Sequence, residues 1–514
     1  MSEIKRIVAG LVLSLSSAVL LVIMWPSFGN LWWLAFVAFV PMYAAQYRVL
    51  PRRWSALPVA VAFTGYYLAL LLHIASALSV VVIVAGALAF GLVGLVIGLF
   101  LRPFAERTRY RWFVLQLGLL WVAIDLLVQN NEIDGTYLWL AYRLADLPQA
   151  VQPVSIVGAP ALSLLLHVIN ATVALVVLSL LDRRWPQWAD VGMPRRALTW
   201  SVAVPVVVTV IWAGTSLVIF HDVSDRMGPK VRVAAVQPGL ENAFPGTLVS
   251  AGDLSRGRSR NDRIEDQIAQ LSEMTRTAAA QGAKVVVWPE ETLDYDPRVS
   301  HREWIPALVH QTGVYLAMGF TPDAANDAAP NTALLWSPAG AVVAVYYKTM
   351  RVITAGEAFT PGNVYPAVNT PHGVVGMIIC FDMDFPNGPT RRTVRNGAQL
   401  VLSPSLDLPS KVDIRRSMAV FRAVENRVAV VKADVAWDSM LVAPNGQVLT
   451  STAVHDERGG RALLVADIPL GPRGAPFTRY GGAPFQWLEY AATVVMLGVV
   501  VVSWRRDRAA RSPA

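Results

Sequence analysis

Three side chains of different chemistry lie just beyond three apolar runs. Glu290 follows Val285–Trp288 in the string VVVWPEE, Lys348 closes VYYK, and Cys380 closes Val374–Ile379 in GMIICFDMDFP. A carboxylate can take a thiol's proton and later return it to a leaving group. The thiolate so formed is a strong nucleophile. An ammonium in a dry site can stabilise the oxyanion that develops on an attacked carbonyl. Glu290, Lys348 and Cys380 together therefore suffice for acyl transfer through a thioester, with no metal and no organic cofactor. Taken singly, each has a plainer explanation. A lone cysteine on an apolar strand is commonly inert core, a glutamate after Trp-Pro can cap a loop, and a lysine at a strand end is commonly solvated. Their shared placement argues otherwise, because strand ends of an α/β fold converge on one crevice.

Cys380 is the one cysteine among 514 residues. No intramolecular disulfide and no cysteine-based metal site can form, so this thiol is either a buried apolar group or a reactive one. Other chemistries find no motif: there is no His-Glu-x-x-His, no Gly-x-Ser-x-Gly and no phosphate-binding glycine loop. The seven histidines form no ligand-spaced pair, and His372 reads as part of the Thr370–Gly373 turn.

The elements that must position these residues are legible around them. Lys230–Gln237, Val285–Trp288 and further apolar runs at 314–319, 332–337, 341–347, 374–380, 399–403, 428–433 and 439–443 read as buried strands. Helical spacing predicts a helix over 262–281, with Ile264, Ile268, Leu271 and Met274 on one face, and another over 411–426. Mixed strands and helices imply an α/β domain with layers on both sides of its sheets. Residues 241–261, rich in Gly, Ser and Arg, read as a mobile loop.

Outside this region the composition changes. The chain is 54% hydrophobic and only 16% charged, against about 25% charged in a soluble domain. Apolar runs near the 20 residues a bilayer needs fall at 7–24, 31–47, 56–75, 78–101, 113–129, 153–181, 198–220 and 485–504. Eight spans put both termini on one side. Alternate connections hold 17 basic residues, from Lys5 and Arg6 to Arg505–Arg511, while the opposite short loops hold only Arg143. The positive-inside rule then makes the termini cytoplasmic and the 221–482 domain extracytoplasmic. The same distribution explains the net charge of +8 without nucleic acid, since no basic stripe with interleaved aromatics crosses the globular part. Asp125, inside the 113–129 run, is a functional candidate as an intramembrane carboxylate, but its closeness to Asn130–Glu132 favours a solvated or loop-bonded group near the outer interface.

The three strings resemble the carbon–nitrogen hydrolase (nitrilase) superfamily: WPE with Glu290, YxK with Lys348 and CxDxxFP with Cys380 occur in its order and approximate spacing. The resemblance implies an αββα sandwich with Glu290 as general base, Lys348 as oxyanion stabiliser and Cys380 as nucleophile. It also implies a second glutamate at Glu357, in Ile353-Thr-Ala-Gly-Glu357. Within the superfamily, the chain from about 7 to 504 resembles the apolipoprotein N-acyltransferase family, which has seven leading spans, an extracytoplasmic nitrilase domain and one closing span. Tyr137–Tyr142 and Val154–Asn170 are similar to that family's outer loop and sixth helix.

The expected architecture is a seven-helix membrane domain (1–220), a nitrilase-like catalytic domain (221–482), and a closing helix with a basic tail (483–514). The resemblance implies transfer of a fatty acyl chain from phospholipid to Cys380, then to the α-amino group of a diacylglyceryl-cysteine lipoprotein, by a monomer in the bacterial inner membrane. Three departures touch the pocket. Phe381-Asp382 stand where Tyr-Glu is usual, as in soluble nitrilases. Ser403-Pro-Ser-Leu-Asp407 replaces Ser-Asn-Asp-x-Trp, and Thr354-Ala-Gly-Glu357 replaces Pro-Phe-Gly-Glu. They keep open a membrane-anchored amidase or other hydrolase, in which water deacylates Cys380. A non-enzymatic scaffold is the alternative from another class, and the intact Glu–Lys–Cys set argues against it.

Overall fold

Long apolar stretches leave the backbone no partner in hydrocarbon but itself, so they fold as helices. In the computed structural model, which describes residues 2–73, 80–133, 135–188, 191, 195–239, 260–322, 328–408, 411–452 and 460–509, six helices are long and apolar enough to cross a membrane. They are Glu3–Ile23, Arg52–His73, Val80–Arg107, Ala159–Arg184, Leu198–Asp225 and Ala483–Arg505. The fifth expected span is the 16-residue helix Phe113–Val128. At 1.5 Å rise per residue it is about 24 Å long, short of the ~30 Å hydrocarbon core. The expected loop at 241–261 lies, apart from its last two residues, outside the described residues.

Two expectations are corrected here. The run 31–47 is not one helix but a 3₁₀ segment Trp32–Phe36, a short α-helix Val40–Ala44 and a π-type turn Ala45–Val49. Pro41 has no N–H to give a longer helix and is accommodated only in the first turn of the short one. The backbone groups left over are satisfied by neighbouring helices. Asn170 accepts from the Phe39 N–H at 3.0 Å and donates to the Ala35 carbonyl at 2.7 Å, while the Ser17 hydroxyl accepts from the Met42 N–H at 2.9 Å. Asp125 is not solvated: it is 8% exposed, its Oδ2 has no hydrogen-bond partner, and the closing helix packs on its own helix.

Among its described residues the globular part has twelve strands: β1 (Lys230–Gln237), β2 (Val285–Val287), β3 (Tyr315–Phe320), β4 (Thr332–Trp336), β5 (Val342–Tyr347), β6 (Ala367–Thr370), β7 (Gly373–Met377), β8 (Leu400–Ser405), β9 (Ala429–Asp434), β10 (Met440–Val442), β11 (Val448–Ser451) and β12 (Ala462–Pro469). They form two six-stranded sheets, ordered β12-β1-β2-β3-β4-β5 and β11-β10-β9-β8-β7-β6. Each has three parallel strands, β1-β2-β3 and β7-β8-β9, flanked by antiparallel ones.

Side-chain alternation along the strands sets the layers. Val231, Val233 and Ala235 of β1 face Val375, Met377, Leu400 and Leu402 of the other sheet in one core. Ala234 and Val236, on the opposite face, pack with Leu271 and Leu308 of helices Arg260–Ala280 and Trp304–Thr312. The far face of the second sheet, with Val401 and Val430, packs on helix Val412–Asn426 through Met418 and Phe421. The result is an αββα sandwich, as expected. That last core runs on into the membrane helices, so helix Val412–Asn426 is the floor between the two parts.

Candidate active site

Glu290 lies just past the three-residue, wholly buried strand β2. Trp288 anchors the turn, donating its indole N–H to Thr275 Oγ1 at 2.9 Å and stacking on Trp304. The turn lies flat on β3 because position 319 is glycine: a Cβ there would fall 2.7 Å from Glu290 Cα and 2.9 Å from the Pro289 carbonyl oxygen. Lys348 follows β5, its backbone N–H donating to the Asn331 carbonyl at 2.9 Å. Cys380 is not a strand-end residue. β7 stops at Met377, and Cys380 opens the 3₁₀ turn Cys380–Asp384 with φ of 42°, in the left-handed region that is costly for a side-chain-bearing residue.

The fold brings Glu290, Lys348 and Glu357 into direct contact. Lys348 Nζ is 2.8 Å from Glu290 Oε1 and 2.5 Å from Glu357 Oε1. Glu290 and Lys348 are 2% and 1% exposed. Glu357 Oε2 accepts from the Val352 N–H at 2.6 Å, which fixes its loop. Burial raises the Glu290 carboxyl to about 7, against the opposing pull of the Lys348 ammonium. Burial also works to discharge Lys348, but Glu290 and Glu357 outweigh it and hold the ammonium well above its ordinary value. The Cys380 thiol is pushed well up, by burial first and then by the charges of Glu290 and Asp407. It is therefore a thiol, not a thiolate, until a base acts on it.

Phe381 and Asp382 face inward. Phe381 packs edge-on against Phe385 at 5.1 Å and beneath the Arg415 guanidinium at 4.9 Å. Asp382 is wholly buried and ties two turns together. Its Oδ2 accepts from the Tyr346 hydroxyl at 2.6 Å and the Ile379 N–H at 3.0 Å, and its Oδ1 from the Met350 and Thr349 N–H groups at 2.8 and 3.2 Å. It thus clamps the Lys348 turn to the Cys380 turn.

Several contributors escaped sequence reading. Asn331 donates its amide to Glu290 Oε1 at 2.8 Å; its one local signal is a position at the mouth of β4. Asp407, noticed only as part of an altered string, has Oδ1 at 3.7 Å from Cys380 Sγ. Arg415 and Lys432 pair with it, Lys432 Nζ at 2.5 Å and Arg415 Nε at 3.3 Å, and Lys432 also pairs with Asp438 at 2.6 Å. Such pairs are made in space between separate strands, turns and a helix, and no spacing rule points to them. Among the described residues, no cluster of three or more potential ligands could hold a metal ion.

The site rests on the membrane part. Thr136 donates to the Asp384 carbonyl at 2.6 Å, and Arg351, in the loop between Lys348 and Glu357, pairs with Glu132 at 2.7 Å. At the same seam Tyr142, Arg143, Asp146, Arg416 and Asp438 line a cavity of about 270 Å³.

Comparison with known proteins bears on both parts. The family model described as "Carbon-nitrogen hydrolase" matches residues 232–475, and the one described as "Apolipoprotein N-acyltransferase N-terminal domain" matches 17–172. An apolipoprotein N-acyltransferase of Geobacter metallireducens is 28% identical over 273 residues, covering 47% of this chain and 50% of the relative. This chain thus spans about half the length of that curated relative. The human omega-amidase NIT2 is 27% identical over 236 residues, 40% of this chain and 83% of the relative. Among solved structures, an amidase from Nesterenkonia sp. is 21% identical with a TM-score of 0.40, covering 50% of this chain and 95% of that one.

Proposed function

We propose, for a chain that belongs to the carbon–nitrogen hydrolase (nitrilase) superfamily and carries the N-terminal domain of apolipoprotein N-acyltransferases, that it acylates lipoproteins on their terminal amine. The observation that carries this reading is the seat of the Glu290–Lys348–Cys380 set on membrane-domain loops, through Thr136–Asp384 and Glu132–Arg351. A donor and an acceptor that are both lipid-anchored need a site at the bilayer surface.

In the proposed first half-reaction Glu290 takes the thiol proton as Cys380 Sγ bonds to the ester carbonyl of a phospholipid. The Lys348 ammonium stabilises the oxyanion. The C–O bond breaks, and the leaving alkoxide takes the proton from Glu290. In the second half the α-amine of a diacylglyceryl-cysteine lipoprotein attacks the thioester. An N–C bond forms, the C–S bond breaks, and the amine's proton passes by way of Glu290 to the thiolate. Glu357 holds Lys348 in place, and Asp382 sets the distance between the two turns. A buried site favours the amine over water. The catalytic domain is proposed to face away from the cytoplasm, with both termini inside.

Mass spectrometry of the purified protein incubated with phospholipid tests the proposal. A fatty-acyl adduct is expected on wild type, absent from Cys380→Ala, and chased onto a diacylglyceryl lipopeptide. A second reading, a membrane-anchored amidase, is favoured by Phe381-Asp382 and by the similarity to an omega-amidase. It predicts an adduct lost only to water. No adduct from phospholipid, lipopeptide or simple amides would sink both.

A further inference from the structure

The hydrogen bonds of Cys380 Sγ are made to groups other than its proposed base. They go to the Leu406 carbonyl at 3.6 Å and to Asp407 Oδ1 at 3.7 Å. Glu290 Oε1 is meanwhile engaged by Lys348 and Asn331, each at 2.8 Å. Asp407 is wholly buried and could relieve its burial by taking a proton, yet it is held as an anion. Burial works to raise its carboxyl, but Lys432 and Arg415 outweigh that and bring it below its ordinary value. Its backbone is fixed too, the Asp407 N–H donating to Asp434 Oδ2 at 2.9 Å. A fixed anion thus stands against the sulfur, whereas reactive thiols are activated by neighbouring cations.

We propose that Asp407 is a positioning residue that holds the Cys380 thiol protonated and turned from Glu290 in the resting protein. The inference rests on the reading of Cys380 as nucleophile. On entry of an acyl donor the side chain turns about Cα–Cβ and the S–H proton transfers to Glu290. Sulfur then bonds to the carbonyl carbon as the ester C–O bond breaks. Asp407 gains and loses no proton. Oxidants attack the thiolate rather than the thiol, so the device keeps the chain's one cysteine intact between turnovers. The titratable groups facing the pair are Lys432, Asp434 and Asp438 on and after β9, Arg415 on helix Val412–Asn426, Asp384 on the Cys380 turn, and Glu290 and Lys348 beyond β2 and β5.

Having one cysteine makes the test direct: alkylation of the full-length protein by iodoacetamide reads Cys380 alone. Asp407→Asn keeps the shape and removes the charge. Alkylation at neutral pH is expected to be about tenfold faster, the effect of one pKa unit on a thiol below its pKa, with the pH profile moved to lower pH. Asp407→Glu keeps the charge and changes the shape, and alkylation should not exceed the wild-type rate. A residue that only supported the fold would loosen the site in both variants and speed both. Alkylation of Asp407→Asn at or below the wild-type rate overturns the proposal. If that variant does not fold, Asp407→Glu decides: a rate above wild type overturns it. Acylation by phospholipid, measured separately, reports on the proposed function. Protein that alkylates as expected but never acylates would sink that reading and keep the charge relation between Asp407 and the thiol.

Discussion

At the residue scale, the charge state of the site is decided by burial against pairing. Glu290 is pushed up to about 7 by burial although Lys348 touches it. A base with a raised value is half protonated near neutrality and loses about tenfold in ionised fraction per pH unit below that. The single-turnover rate of acyl-adduct formation should therefore fall on an acid limb with an apparent midpoint near 7. Lys348, held well above its ordinary value, remains charged throughout and adds no limb there. Glu290→Gln should lower the rate by at least about 100-fold, the usual contribution of a general base, and flatten that limb. A rate of adduct formation independent of pH between 5 and 8 in wild type would contradict Glu290 as the base. The identities of these residues were readable from their strings. Asp407 was visible only as a departure, since its meaning depends on Lys432, Arg415 and Cys380 meeting in space.

At the element scale, the turns that carry the site are set by close approaches rather than by propensity. Gly319 on β3 lets the Pro289–Glu290 backbone lie against it, where a Cβ would sit 2.7 Å from Glu290 Cα. Gly319→Ala must push that turn outward. Overpacking of this kind costs about 1–3 kcal/mol, and a displacement of ~1 Å can cost about 100-fold in rate. Thermal unfolding and adduct kinetics on the same preparation check this: a lower midpoint with a larger proportional loss of rate is expected, and an unchanged rate would show that the turn yields harmlessly. Periodicity located most strands and both long helices of the sandwich to within a few residues. It missed β6, β11 and β12, whose residues are largely half-buried and so lack a full apolar signature. It also ran β7 on to Cys380, because Ile378 and Ile379 are as apolar as the strand although the backbone is already turning.

At the scale of the whole molecule, the globular part is seated on the membrane part through helix Val412–Asn426, with the Tyr142 ring edge-on to Phe421 at 4.9 Å. The proposed sides of the bilayer rest on the basic asymmetry of the connecting loops. In a Cys380→Ala background, single cysteines at exposed Ser2 and Ser300 should be distinguished by a membrane-impermeant thiol reagent applied outside spheroplasts. Ser300→Cys is expected to label at once and Ser2→Cys only after lysis; the reverse pattern would invert the proposed topology.

The αββα sandwich was what the family resemblance implied; the sequence by itself determined the division into apolar and globular parts, a layered α/β class and the candidate residues Glu290, Lys348 and Cys380. These follow from hydrophobic period, composition and short strings, each of them local. Tertiary structure alone decided that the 31–47 run breaks and survives on the side chains of Asn170 and Ser17. It alone decided that Asp382 clamps two turns, and that the thiol leans on Asp407 rather than Glu290. Those outcomes depend on which polar groups meet across layers once water is removed. The strength of each pairing comes from that burial, and nothing along the chain encodes it locally.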